Sequence, residues 1–263
     1  MRKTLPSIFI SFLMAAACIA LPSNTRAEWR LESRLTLASL QDGAGLIGYT
    51  FEDGGRSIRA WAVTFRQDQV RLAVIDNPSR RPLGEAMLAL DAIAGVNGGY
   101  FQADGTPVGL EIAGGKKIHG YERARLLSGI FIVTGGRPCL IRSAHFQASN
   151  KDTDALETGP FLVFDARIVE GLNTVKAARR TIVANDGKGD WALLYLEPVT
   201  LADAAGILTT PGIFRQGRVE QALNFDGGSS SGLWAAAGPS PFYLHEFGNV
   251  RNFLAILPRK LAK

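Results

Sequence analysis

Short runs of β-branched and aromatic residues, each closed by Gly, Asn, Asp or Pro, recur along almost the whole chain and confine it to a strand-rich fold. They are Arg30–Leu37, Ser57–Phe65, Val70–Ile75, Gly129–Thr134, Phe161–Phe164, Thr181–Ala184, Trp191–Leu196, Ala222–Phe225 and Phe253–Leu257. Branched and aromatic side chains pack well on a pleated surface, and the bounding residues supply the turns. Helical spacing of apolar residues is found at Leu83–Ala94 and in a short stretch through Leu208. The second stretch starts on a capping-box-like Thr200-Leu201-Ala202-Asp203 and stops at Pro211-Gly212. Few helices among many strands argue against regular βαβ winding and predict an α+β domain with a mixed, mostly antiparallel sheet. The 29 glycines among 263 residues exceed the usual share of about 7% and fit many tight turns. Asn185 to Asp190 (Asn-Asp-Gly-Lys-Gly-Asp) lies between two strand runs and reads as a hairpin turn, since its spacing misses an EF-hand loop.

The N-terminus reads as an address. Arg2 and Lys3 precede an apolar run of 14 residues, Ile8 to Leu21, and Thr25-Arg26-Ala27 offers a small-x-small cleavage pattern. The run is too short to span a bilayer comfortably, so residues 1–27 are expected to be a secretory signal, with no stable membrane insertion after cleavage. Residues 28–263 then form a single domain in a periplasmic or secreted protein. The leader carries three basic residues and no acid, which leaves 26 basic against 24 acidic residues in the remainder. No basic block or helix face survives, so a nucleic-acid partner is not expected. Cys139 is left alone among apolar neighbours and reads as a buried structural thiol.

Two glycine-rich segments could carry chemistry. The first is Gly95-Val96-Asn97-Gly98-Gly99-Tyr100-Phe101, where adjacent glycines allow close backbone approach and the Asn97 amide can both donate and accept hydrogen bonds. The second is Asn224-Phe225-Asp226-Gly227-Gly228-Ser229-Ser230-Ser231-Gly232, in which an apolar strand delivers one carboxylate to a loop of small residues able to cradle an anion. Its Gly-x-Ser-x-Gly core fails as a nucleophile elbow: no Asp follows, and the only later His and Glu are the adjacent pair His245-Glu246. It also lacks the Lys of a Walker A loop, and neither segment has the dinucleotide spacing. His119, His145 and His245 show no zinc spacing, so no metal site is read, although Asp and Asn oxygens would suit Mg²⁺ or Ca²⁺.

Asn97-Gly98-Gly99-Tyr100-Phe101, Pro107-Val108-Gly109-Leu110, Gly159-Pro160-Phe161-Leu162, Arg180-Thr181 and Asn224-Phe225-Asp226-Gly227-Gly228 occur in an order that resembles the phosphodiester glycosidase family. That family includes the lysosomal uncovering enzyme, N-acetylglucosamine-1-phosphodiester α-N-acetylglucosaminidase, and secreted bacterial relatives. The resemblance extends over about residues 90–257. Ser229 stands where the family usually has a third glycine, and Phe225 where Leu is usual.

The resemblance implies a hydrolase that cleaves the glycosyl–phosphate bond of a sugar phosphodiester or cell-envelope glycan. Phosphate is already a stable leaving anion, so the general acid of ordinary glycosidases is less needed than a carboxylate and a cationic cradle. Asp226 is the candidate nucleophile or base, and Arg180 the candidate phosphate clamp. Gly98, Gly99, Gly227 and Gly228 are expected to offer backbone donors, with Asn97, Thr181 and Ser230 orienting substrate. Glu157 and Glu111 are weaker candidates for a second carboxylate. On the residues alone, Asp226 could equally close an Asx turn and Arg180 could lie on a solvated strand edge. A carbohydrate-binding protein without turnover and a phosphodiesterase cutting the P–O bond are the competing functions.

Overall fold

The computed structural model describes residues 28–259, so the signal expected over 1–27 lies outside the described residues. Its strands form three sheets in place of the one expected, and every pairing between strands is antiparallel. The eight-stranded sheet runs in the order Arg30–Ser39, Gly45–Asp53, Arg56–Arg66, Asp190–Val199, Ala178–Asn185, Gln221–Asn224, Phe161–Phe164, Arg167–Ile168. One five-stranded sheet runs Lys116–His119, Glu111–Ala113, Asp152–Thr158, Gly129–Thr134, Arg137–Arg142. The other runs Phe242–Leu244, Leu233–Ala235, Ala94–Asn97, Asn252–Pro258, Val70–Asp76.

The middle of the large sheet explains its uninterrupted apolar sequence. Along Ala178–Asn185 and Asp190–Val199 successive side chains enter different cores. Ile182, Ala184, Leu194 and Leu196 pack with Ala205, Ile207 and Leu208 of the helix Leu201–Thr209. Val183, Leu193 and Tyr195 pack on the opposite face with Phe131, Phe161, Leu223 and Phe225. A strand covered on both sides has no polar face to alternate with, and buried apolar area is the main favourable term in folding. The helix cap matches the sequence expectation: the Thr200 hydroxyl accepts from the Asp203 N–H at 3.0 Å.

Other elements depart from the sequence reading. The first helix spans only Leu83–Ala89, because Asp91 adopts a left-handed conformation (φ 48°) and the Ala92 N–H returns to the Met87 carbonyl. The chain then turns into Ala94–Asn97, where Gly95 leaves room for the Met87 side chain. Asp152–Thr158 does not read as a strand because it carries Asp152, Asp154 and Glu157. These acids are buried and accept backbone N–H bonds: Asp154 from Val74 at 2.8 Å, Glu157 from Leu110 at 2.9 Å and Glu122 at 3.0 Å. The expected hairpin turn joins Ala178–Asn185 to Asp190–Val199, with the Asp186 carboxylate accepting from the Lys188 and Asp190 N–H groups. Cys139 is half-buried rather than fully buried, and burial pushes its thiol pKa up.

Thr200→Ala removes the cap of the longer helix and should cost about 1 kcal/mol. In a domain of this size that lowers Tm by roughly 2–4 °C, as a calorimetric melt would read.

Candidate active site

The C-terminal ends of two strands from different sheets meet here. Ala94–Asn97 runs into Gly98-Gly99-Tyr100, and Gln221–Asn224 runs into Phe225-Asp226-Gly227. The two loops bond directly to one another. The Asp226 N–H donates to the Gly98 carbonyl at 3.1 Å, and the Asn97 amide nitrogen donates to the Asp226 carbonyl at 2.8 Å. The Asn97 amide oxygen accepts from the Thr181 hydroxyl at 2.6 Å and from the Gly232 N–H at 3.1 Å. Asn97 thus joins strand Ala178–Asn185, the loop at 226 and the loop at 232, with 1% of its surface exposed.

That saturation bears on the sequence reading of this loop. Asn97 and Thr181 are buried and bonded to protein partners, and through these bonds they position the loops. Among the described residues no three His, Cys, Asp or Glu side chains group as metal ligands. The Gly98 and Gly99 N–H groups donate to Asn252, to its carbonyl at 2.9 Å and its side-chain oxygen at 2.8 Å. The Gly227 N–H donates to the Asp226 carboxylate at 2.8 Å. Of the four expected backbone donors only Gly228, at φ 66°, has no acceptor among the described residues. Glycine is needed at 98 and 227 for close packing. A side-chain carbon at 98 would run into Asn252, and one at 227 would lie 2.9 Å from the Arg179 carbonyl.

Asp226, by contrast, is only partly buried. Burial pushes its carboxyl pKa up, while the Ser230 hydroxyl and the Gly227 N–H pull it back. The carboxylate does bond the Gly227 N–H, one residue on rather than the two of an Asx turn, and that bond does not exhaust it. Arg180 is not on a solvated edge: its strand is paired on both sides and the residue is 8% exposed. Its Nε donates to the Val199 carbonyl at 3.0 Å and its Nη2 to the Lys176 carbonyl at 2.8 Å. These bonds aim Nη1 toward Gly227, where a side-chain carbon would lie 3.6 Å from it. Among the described residues Arg180 forms no ion pair. A buried guanidinium without a carboxylate partner is costly, and burial pulls its pKa down.

Tyr100 and Asn224 belong to this neighbourhood, and the sequence reading quoted them without assigning a role. The Tyr100 hydroxyl donates to the Gly159 carbonyl at 2.6 Å, and Asn224 Nδ2 donates to the Tyr100 oxygen at 3.3 Å. Burial raises the Tyr100 pKa; the Asp226 charge adds to the rise and Arg180 opposes it, so all three side chains share one electrostatic field. An aromatic residue directly after Gly-Gly was the signal available. Glu111 and Glu157 are fully buried and so do not offer a second carboxylate to substrate. Glu111 accepts from the Asn252 amide at 2.5 Å, and burial raises its pKa to about 7. Two cavities, of about 950 and 850 Å³, are not lined by Asp226 or Arg180.

The phosphodiester glycosidase family model matches residues 90–257. No curated protein matches the sequence. Among solved structures, the chain is similar to the zebrafish N-acetylglucosamine-1-phosphodiester alpha-N-acetylglucosaminidase catalytic domain auto-inhibited by its pro-peptide. The TM-score is 0.65 at 13% identity, covering 86% of this chain and 88% of that one. A hypothetical protein from Synechocystis gives 0.58 at 16% identity, over 82% of this chain and 62% of that one. A protein described as exported, from Burkholderia pseudomallei, gives 0.57 at 12%, over 80% and 74%.

A carboxyl with a raised pKa adds stability below its unfolded value, near 4, and loses it as pH rises through the folded value. Asp226→Asn should therefore raise Tm at pH 7, with the gain fading as pH falls toward 4. Asn97→Ala leaves the Thr181 hydroxyl and the Gly232 N–H unpaired and should cost about 2–4 kcal/mol by urea denaturation.

Proposed function

The chain belongs to the phosphodiester glycosidase family, a family of hydrolases, and from that premise we propose that it hydrolyses the bond between an anomeric carbon and a phosphate in a sugar phosphodiester. The observation that carries this reading is the buried Arg180, without an ion-pair partner among the described residues, beside a partly buried Asp226. A guanidinium held by backbone carbonyls on two nitrogens presents its remaining N–H groups as a fixed anion donor. It supports a phosphate in the substrate rather than a neutral glycoside.

In this mechanism the C1–O bond breaks and its electron pair leaves with the phosphate, so a phosphomonoester departs. Arg180, with the free Gly228 N–H, takes up the charge that grows on the phosphate oxygens. Asp226 acts on the opposite face of C1, either by attacking it or by taking the proton of the attacking water. Only one carboxylate is needed, because the departing phosphate requires no proton to leave. Ser230 holds the Asp226 carboxylate in place. Tyr100 lies within the field of both charges. The raised pKa of Asp226 supports an acid limb displaced above the usual carboxylate range, since the ionised form is the one required.

The same reading places the protein outside the cytoplasm. The leader expected over residues 1–27 supports secretion or a periplasmic location, and no helix among the described residues is long and apolar enough to cross a membrane. The substrate would then be a glycan or glycosyl phosphodiester of the cell envelope.

Incubation with an N-acetylglucosamine-1-phosphodiester should release free sugar and a phosphomonoester. Asp226→Asn should lower kcat by at least about 10³-fold while remaining folded, and Arg180→Ala should raise KM by about 10-fold or more. Sugar 1-phosphate as the product would mean P–O cleavage, and full turnover in Asp226→Asn would remove the carboxylate from the mechanism.

A further inference from the structure

A second cationic feature lies beside the site. A cleft of about 850 Å³ is lined by Arg123, Arg125, Arg142 and His145, with Tyr121, Ser128 and Ser143, and no Asp or Glu lines it. Arg142 stacks over Phe161 and Phe164, its guanidinium carbon 4.8 and 4.4 Å from the two ring centres, which fixes its position. Arg123 and Arg125 are exposed on the loop opposite. Among the described residues none of the three forms an ion pair; Asp165 is the carboxylate whose charge reaches Arg142.

The cleft adjoins the Asp226 neighbourhood through a single turn. Gly159 packs so closely on the cleft wall that a side-chain carbon there would lie 2.8 Å from the Ser128 nitrogen. Its carbonyl, on the other side, accepts from Tyr100 and Asn224. Arginines thus lie to either side of one turn, Arg180 near Tyr100 and Arg123, Arg125 and Arg142 in the cleft.

We propose that this cleft binds a second phosphate of the substrate, so that the natural substrate is a polyol or sugar phosphate oligomer carrying several phosphodiesters. The proposal rests on the phosphodiester reading of the Asp226 site and extends it from one phosphate to a chain of them. A nucleic acid is disfavoured by the aromatic inventory. The ring of Tyr121 is stacked on Phe146 at 5.7 Å, and Phe161 and Phe164 lie under Arg142, so these rings are already engaged with protein partners. Arginine forks suit phosphate oxygens without reading a base or a sugar.

The test uses a phosphodiester-linked glycerol phosphate hexamer without any glycosyl group, titrated calorimetrically into residues 28–263 of the wild type and of Arg123→Ala/Arg125→Ala. Wild type should bind in a salt-sensitive manner, and the double variant about 10-fold more weakly. Arg123→Lys/Arg125→Lys should bind between the two, since it keeps the charges and loses the forks, and melting curves should be alike for all three proteins. Equal hexamer affinity in wild type and the alanine variant, or tighter binding of a thymidine hexanucleotide than of the hexamer, overturns the proposal. Hydrolysis of the small phosphodiester without hexamer binding sinks the cleft and leaves the Asp226 mechanism standing. Arginine-dependent hexamer binding without any hydrolysis removes that mechanism and, with it, the claim that the bound chain is a substrate.

Discussion

The side chain of Asn97 is the joint on which the site depends. It accepts from Thr181 and Gly232 and donates to the Asp226 carbonyl, so one amide ties a strand of the large sheet to both loops that carry the chemistry. A buried amide with both ends bonded is worth far more intact than halved, because each orphaned partner bears its own desolvation cost. Glycines 98 and 227 make the joint possible by removing the side chains that would hold the loops apart. The position of Asp226 is thus a consequence of packing and hydrogen bonding behind it, with its carboxylate held from the same side by Gly227.

On that frame the protein carries two charges it would be more stable without. Arg180 is buried and bonded only to carbonyls, and burial disfavours the ionised form of Asp226. The two do not neutralise each other within ion-pair distance. Such an arrangement makes physical sense when a ligand supplies the missing anion next to the guanidinium and consumes the charge on the carboxylate. The buried Glu111–Asn252 contact lies behind Gly99 and supports the first loop from the rear.

Much of this was legible from residue order, and the failures have physical causes. Gly129–Thr134 and Phe161–Phe164 match the sequence runs in both bounds, because strands buried on both faces are written in apolar and branched residues. Asp152–Thr158 was illegible, since its acids are solvated by backbone N–H groups contributed from distant segments. Asp226 and Arg180 could be picked out, and the structure brings them to one neighbourhood around Gly227. The mutual bonds of Asn97 and Thr181 were not legible, because a lone sequence does not say where a polar side chain spends its hydrogen bonds. Tyr100 went unassigned for the same reason: its relation to Gly159 and Asn224 spans distant parts of the chain.

The most direct measurement follows the oxygen of the attacking water. Turnover of a glycosyl phosphodiester in ¹⁸O-labelled water, with products weighed by mass spectrometry, reports which bond to the bridging oxygen is cut. Asp226 acting at the anomeric carbon predicts label in the free sugar and none in the phosphomonoester. Label in a phosphate product would put the attack at phosphorus and contradict the account.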